Sequence, residues 1–327
     1  MDRQDCYRSP LRPPVWAAAL LASVLAGASL AAPAGTSGRV WLIDSHRAAV
    51  WDGEGWTSRN LDYWRLEANG PWVAADRAGF LEAVNGAGVP TAVFVHGNLT
   101  DTEAAIREAW SVYCRMERAA AGRPFQFVIW SWPSDRVCRR LRADAQLKAD
   151  FSDVQAYYLA DLLRDVGQRV PVSLIGYSYG SRTVAGALHL LAGGELAGRS
   201  LHGPTAAARS GGPRCLIRAI LLAAAMDADW LLPAHRYGLA ATQAEHLLVT
   251  QNCADRALRW YSRLYGRHGP AALGHGGPAR CLPADAGQNI ELIDVTCPVG
   301  RVHDWIRYVS APALEPRWAW YMFLPGG

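Results

Sequence analysis

The sequence predicts an α/β fold, a mostly parallel sheet of about eight strands with helices on both faces. Two features carry that prediction. From residue 91 onward, short apolar runs rich in β-branched residues alternate with helical stretches, the pattern of βαβ units. Within that series the run Val172-Ser173-Leu174-Ile175 breaks into Gly176-Tyr177-Ser178-Tyr179-Gly180 and passes straight into a small-residue helix. A serine flanked in this way sits in a strained strand-to-helix turn. Nothing larger than hydrogen fits two residues to either side, and the hydroxyl is lifted above the sheet.

Taken in order, Arg39 to Ala48 (RVWLIDSHRA) and Leu61 to Ala68 (LDYWRLEA) read as two strands joined by a turn that contains Gly53 and Gly55. Such a pair is the expected antiparallel opening of a mixed sheet. Phe80 to Asn85 reads as a short helix. Thr91 to Val95 (TAVFV) is a strand that ends in His96-Gly97-Asn98-Leu99. Thr100 or Asp101 is the N-cap of a helix running to about Ala119, with Glu103 close behind. Phe125 to Trp132 is the next strand, closed by Pro133-Ser134-Asp135, and a long helical stretch spans about Val137 to Val166. Its apolar face is Leu159, Leu162, Leu163 and Val166, at i, i+3, i+4 and i+7. The helix after the Ser178 turn has Val184, Leu188 and Leu191 at helical spacing. Leu216 to Met226, His246 to Thr250 and Asn289 to Val295 supply three more strands, with helices expected near Trp230 to Ala241 and Ala254 to Tyr265. Ala197 to Arg214 and Gly266 to Gly287 are long Gly-rich connections, candidates for loops near a site.

At 327 residues, half of them apolar, the chain is long enough for one large core. Residues 39–327 read as a single domain behind an N-terminal segment, 1–34. In that segment Arg3, Arg8 and Arg12 precede an uncharged Ala/Leu-rich run from Val15 to Ala32, and Ala32-Pro33-Ala34 offers a cleavage site. This is a signal peptide, with an uncleaved membrane anchor as its rival, so the protein is expected outside the cytoplasm. The net charge of +4 is mild and the basic residues are dispersed, which leaves no stripe for a nucleic acid. Beyond Cys6, the six cysteines Cys114, Cys138, Cys215, Cys253, Cys281 and Cys297 fit an oxidising compartment and permit up to three disulfides. Cys253 and Cys297 each follow an apolar run and are the best candidates for one pair. No C-x-x-C spacing suggests zinc.

A serine thrust out of a turn needs a base, and the base needs an orienting acid. The arrangement in which the serine precedes both in the chain, acid before histidine, restricts the choice. His189 lies in the helix after the turn and His246 begins a strand, so both point away from strand C-termini. His268 and His275 sit in a Gly/Pro loop. His303 follows the last strand across a short loop and is the preferred base, with His275 next. Asp255 stands where the strand HLLVT hands over to a helix and is the preferred acid. Asp227 and Asp229, after the preceding strand, are its rivals, and a helix N-cap is the alternative role for any of the three. An oxyanion formed at Ser178 would meet the N–H of Tyr179 and a second donor from the loop after TAVFV: Asn98, or else Gly97 or Leu99. His96 there reads as structural. Tyr177, Tyr179, Trp130, Trp132 and Trp230 are candidates to wall an apolar acyl pocket, with core packing as their alternative.

Together HGN after one strand, WSWPSD after the next, GYSYGSR at the turn, NCADRAL after a later strand and the late His303 resemble the α/β-hydrolase superfamily. More narrowly they resemble an esterase/lipase-like branch with an S-W-P-S segment after its fourth strand and an N-x-D-x-A-L acid loop. The resemblance covers about residues 91–308 and implies Ser178 as nucleophile, Asp255 as acid and His303 as base. The chain departs from that branch at the elbow, where Tyr177 and Tyr179 replace the usual His and Met, and in the acid loop at Cys253 and Ala254. The implied function is hydrolysis of a small-molecule ester or related acyl bond without metal or organic cofactor. An acyltransferase with the same residues, or an exported binding or scaffold protein on the same fold, is the alternative.

Overall fold

The computed structural model describes residues 39–48, 60–67, 70–166, 170–201, 216–266, 268–277 and 289–324. The leader, most of the two long Gly-rich connections, Cys215 and Cys281 lie outside the described residues. Among the described residues, no helix is long and apolar enough to cross a membrane.

Among the described residues nine strands form one sheet: β1 (Val40–Asp44), β2 (Asp62–Leu66), β3 (Trp72–Ala75), β4 (Thr91–Val95), β5 (Gln126–Ser131), β6 (Val172–Tyr177), β7 (Ile217–Leu222), β8 (His246–Gln251) and β9 (Ile290–Asp294). Their order is β3-β2-β1-β5-β4-β6-β7-β8-β9. β2 is antiparallel to β1 and β3, and every other pairing is parallel. The strand beyond the expected eight is β3, a short exposed edge. Every residue of β4, β5 and β6 is buried, on both sides of the pleat, so both faces of the sheet are covered there.

The principal helices are α1 (Arg77–Ala87), α2 (Thr102–Ala120), α3 (Leu141–Asp165) and α4 (Tyr179–Leu191), and the shorter ones include α5 (Arg256–Trp260) and α6 (Trp305–Val309). Asp101, not Thr100, caps α2, its carboxylate accepting from Ala104 N–H at 2.8 Å. α3 begins later than its sequence pattern suggested. Asp144 on its first turn accepts from the N–H groups of Val137 (2.8 Å) and Cys138 (2.7 Å), which fixes those residues as a loop folded against the helix start. The helix expected near Trp230 to Ala241 is a chain of turns with a helical turn only at Ala240–Gln243. Pro233 lacks an N–H there, and Ala234 takes φ 67°.

The sheet with its antiparallel flank, and the tight turn that closes its central β6, make this an α/β-hydrolase fold, as the resemblance implied. That turn depends on two absent side chains. A Cβ on Gly176 would lie 2.6 Å from Gly180 O, and one on Gly180 would lie 2.1 Å from Val95 O, both rigid backbone. Gly180→Ala is therefore expected to destabilise the protein by ~2–3 kcal/mol or more through forced backbone shifts. Gly86→Ala, in α1 with nothing within 4 Å of the new Cβ, should be neutral or stabilising by up to ~1 kcal/mol. Urea-unfolding midpoints of the two variants check the contrast.

Candidate active site

Ser178 occupies the turn between β6 and α4 with φ 54° and ψ −112°, a conformation that is strained for a residue with a side chain. The strain is held by its neighbours. Ser178 N–H donates to Leu222 O (2.9 Å), and Ser178 O accepts from Ser181 N–H (3.1 Å) and Ala225 N–H (3.3 Å). Behind it, the Ser181 hydroxyl donates to Gly176 O at 2.9 Å. The result is a nearly buried serine whose Oγ faces out of the sheet's C-terminal edge.

His303 arrives from beyond β9 and meets it. Its Nε2 lies 3.0 Å from Ser178 Oγ, and its Nδ1 lies 2.8 Å from Asp255 Oδ2. Asp255 is fully buried and four donors surround it. Oδ1 accepts from Ala257 N–H (2.8 Å) and Leu258 N–H (3.0 Å), while Oδ2 accepts from the Tyr308 hydroxyl (2.6 Å) and from His303. Asp255 caps α5, the alternative role offered for it, and the same carboxylate meets the imidazole of His303. Burial works to raise its pKa, but the hydrogen bond and charge of His303 and the bonds from Tyr308 and Leu258 outweigh it and hold the carboxyl below its usual range. A carboxylate can only accept, so the shared proton resides on His303 Nδ1 and the Nε2 lone pair faces Ser178.

The loops that carry these residues are tied together. Asn252 Nδ2 donates to Gly300 O (2.9 Å), Cys253 N–H to Thr296 Oγ1 (3.2 Å) and Arg256 N–H to Arg301 O (3.3 Å). Tyr177 packs against the imidazole with ring centroids 5.2 Å apart. Cys253 and Cys297, expected to pair, are both exposed free thiols, and Cys114 is free and half-buried. The Thr296 hydroxyl stands at the Cys253 sulfur (3.6 Å) in place of a bridging partner.

The other candidates fall elsewhere. Asp227 accepts from the Tyr261 hydroxyl at 2.6 Å, and Asp229 pairs with His235 at 3.2 Å on the surface. His275 Nδ1 faces Asn252 O at 3.3 Å, and His189 accepts from Leu239 N–H. His96 is wholly buried, its Nε2 accepting from Trp132 N–H (3.1 Å) and its ring stacked on that indole at 5.6 Å. Burial pushes it down to about 4, so it stays neutral and holds the loop after β4 as the sequence suggested.

In that loop Gly97 is pressed against the elbow. A Cβ there would lie 2.9 Å from the Tyr177 ring and 3.3 Å from Ser178 Cβ. Leu99 N–H is already taken by Ser134 O at 2.9 Å. Among the described residues, Asn98 N–H and Tyr179 N–H donate to no carbonyl. A cavity of about 750 Å³ opens over Ser178 and His303, walled in part by Tyr177, Tyr179, Leu258 and Trp305. Trp130 and Trp132 are in the core instead, and Trp230 packs on Tyr237 and under Arg182. Among the described residues, no cluster of three metal-ligating side chains occurs.

Sequence reasoning passed over Tyr308, Glu108 and Asp144. Tyr308 lies five residues after His303 and 53 from the carboxylate it serves. The cue was its place one helical turn past a histidine, which points to no partner.

No family model matches the chain, and the search of curated proteins returned no match. Among solved structures, the chain is similar to the catalytic core domain of an acetyl xylan esterase from Trichoderma reesei, at 12% identity and a TM-score of 0.36, over 72% of this chain and 98% of that one. It is also similar to a lipase-esterase related protein from Clostridium acetobutylicum, at 11% identity and a TM-score of 0.32, over 70% and 92%.

Because the Asp255 pKa is depressed in the folded protein, its contribution to stability is present above the unfolded value of about 3.9 and is lost as pH falls through the folded value. Removing the Tyr308 hydroxyl brings the folded value back up. Tyr308→Phe should therefore lose stability at a higher pH than the parent, seen as an upward displacement of the acid limb in urea midpoints followed below pH ~5.

Proposed function

We propose that the protein is a serine hydrolase of carboxylic esters or related acyl compounds. Ser178 is the nucleophile, His303 the general base and acid, and Asp255 the group that fixes the imidazole tautomer and stabilises the imidazolium. The observation that carries this reading is the continuous chain from Ser178 Oγ to His303 Nε2 (3.0 Å) and from His303 Nδ1 to Asp255 Oδ2 (2.8 Å) at the mouth of a cavity.

In the proposed reaction His303 Nε2 takes the Ser178 proton as Oγ attacks the acyl carbon. The carbonyl oxygen becomes an oxyanion in reach of Tyr179 N–H and Asn98 N–H, with Gly97 giving the loop its close approach. The imidazolium then hands its proton to the departing alcohol, and the acyl group is left on Ser178. Water deprotonated by the same nitrogen attacks the ester, releases the acid and returns the proton to Ser178. No step calls for a metal or an organic cofactor.

A fluorophosphonate should label Ser178 and abolish turnover of p-nitrophenyl esters. Ser178→Ala should cost about 10⁴-fold or more in kcat, and unchanged ester turnover in that variant would sink the proposal. Asp255→Asn preserves shape but lets the imidazole turn to the wrong tautomer, with an expected loss near ~10⁴-fold in kcat. Circular dichroism of both variants separates lost chemistry from lost fold.

A further inference from the structure

The cavity over Ser178 has two kinds of wall. Leu141, Ala145, Leu258 and Leu264 make one apolar side. The remainder includes three acidic or amide side chains that the proposed reaction does not use: Asn98, Glu108 and Asp144. Each carries a buried oxygen without a donor, namely Asn98 Oδ1, Glu108 Oε2 and Asp144 Oδ2. Asp144 is 1% exposed, and its other oxygen is fully used by Val137 and Cys138 N–H. The three stand on three separate elements, the loop after β4, the second turn of α2 and the first turn of α3. No unpartnered buried side-chain donor accompanies them among the described residues that line the cavity. A buried acceptor without a donor is costly, and all three belong to residues that line one cavity, so a ligand that brings donors would satisfy them.

We propose that this site takes esters bearing several free hydroxyl groups, partially acylated polyols or sugars, with Glu108 as a specificity-determining residue that accepts from a substrate hydroxyl. The inference rests on the hydrolase reading above and names its substrate class. Hydroxyls suit the wall better than a cationic head does. A trimethylammonium head has no N–H or O–H to donate, whereas a polyol brings one donor on each hydroxyl. One of the acceptors is a neutral amide, and the exposed Arg256 on the same cavity opposes a cation. Burial pushes the Glu108 carboxyl up to about 7, against a hydrogen bond from Thr100 and the charge of Arg107. A hydroxyl can donate to its ionised form and accept from its protonated form, so the contact survives either state.

The test compares kcat/KM for 2,3-dihydroxypropyl butyrate, propyl butyrate and butyrylcholine, in the parent protein, Glu108→Leu and Glu108→Gln. The parent should favour the dihydroxypropyl ester over the propyl ester by about tenfold or more. Glu108→Leu should bring that ratio close to one, chiefly through a higher KM for the hydroxylated ester. Glu108→Gln keeps a carbonyl acceptor and should retain most of the preference, and Glu108→Ala, expected to bring the ratio close to one as the leucine variant does, is the readout if the leucine variant does not fold. A parent ratio near one, a ratio that neither variant moves, or a preference for butyrylcholine overturns the proposal. Fluorophosphonate labelling of Ser178 keeps the two readings apart. Labelling with propyl butyrate turnover but no hydroxyl preference refutes the substrate class alone, whereas absence of labelling and turnover refutes the hydrolase.

Discussion

The contact on which the site depends is between two pieces of backbone, the start of α4 and the end of β4. Gly180 lies so close to Val95 O and His96 O that no side chain fits between them. That approach forces Ser178 into positive φ and at the same time fixes where the loop after β4 must run. His96, held neutral between the Gly97 carbonyl and the Trp132 backbone, locks the loop in that path. The strained serine and the free N–H groups beside it are therefore one device. Loosening the glycine contact would displace both together.

The acid and the imidazole are positioned by different means. They come from loops that follow neighbouring parallel strands, β8 and β9, whose register pairs Gln251 with Asp294. Parallel pairing carries the two chains out of the sheet side by side, so their loops can bond to each other over a short distance. Asn252, Thr296 and Gly300 make those bonds. Asp255 is then fixed twice, by the helix it caps and by Tyr308, before the imidazole adds anything. A carboxylate so surrounded stays charged when buried, which is what a neighbouring imidazole needs in order to keep its proton on Nδ1.

Much of this was legible in the residues. Fully buried parallel strands write themselves as β-branched runs, and TAVFV was placed to the residue. The turn at Ser178 was legible because its backbone demands glycine at two spaced positions. Chain order then narrowed the histidines to His303 with His275 next, and the carboxylates to Asp255 with Asp227 and Asp229 as rivals. What the residues did not disclose has physical reasons. β3 is four residues on an exposed edge, too short to develop an alternating pattern. The start of α3 was misjudged because the Asp144 carboxylate, seven residues downstream of Val137, holds that residue in a loop, and periodicity cannot register such a bond. Tyr308, Glu108 and Asp144 owe their significance to neighbours brought in by the fold. The tryptophans near the end of β5 went to the core because both faces of that strand are covered.

The imidazole hangs from β9, the outermost strand of the sheet, three of whose five residues are only half-buried. That strand is buttressed from the far side by Arg317 and Tyr321, both on Glu291, and by Asn289 on the carbonyls of Ala241 and Ala244. Strands at a margin open more readily than those at the centre. The molecule thus keeps its strained backbone, at Ser178, after a central strand and the His303 imidazole beyond a strand at the margin. A transient detachment of one strand would uncouple the serine from its partner and leave the elbow intact, ready to reassemble. Under the proposed reaction, competence would then be lost at the rim of the fold while its centre stayed intact.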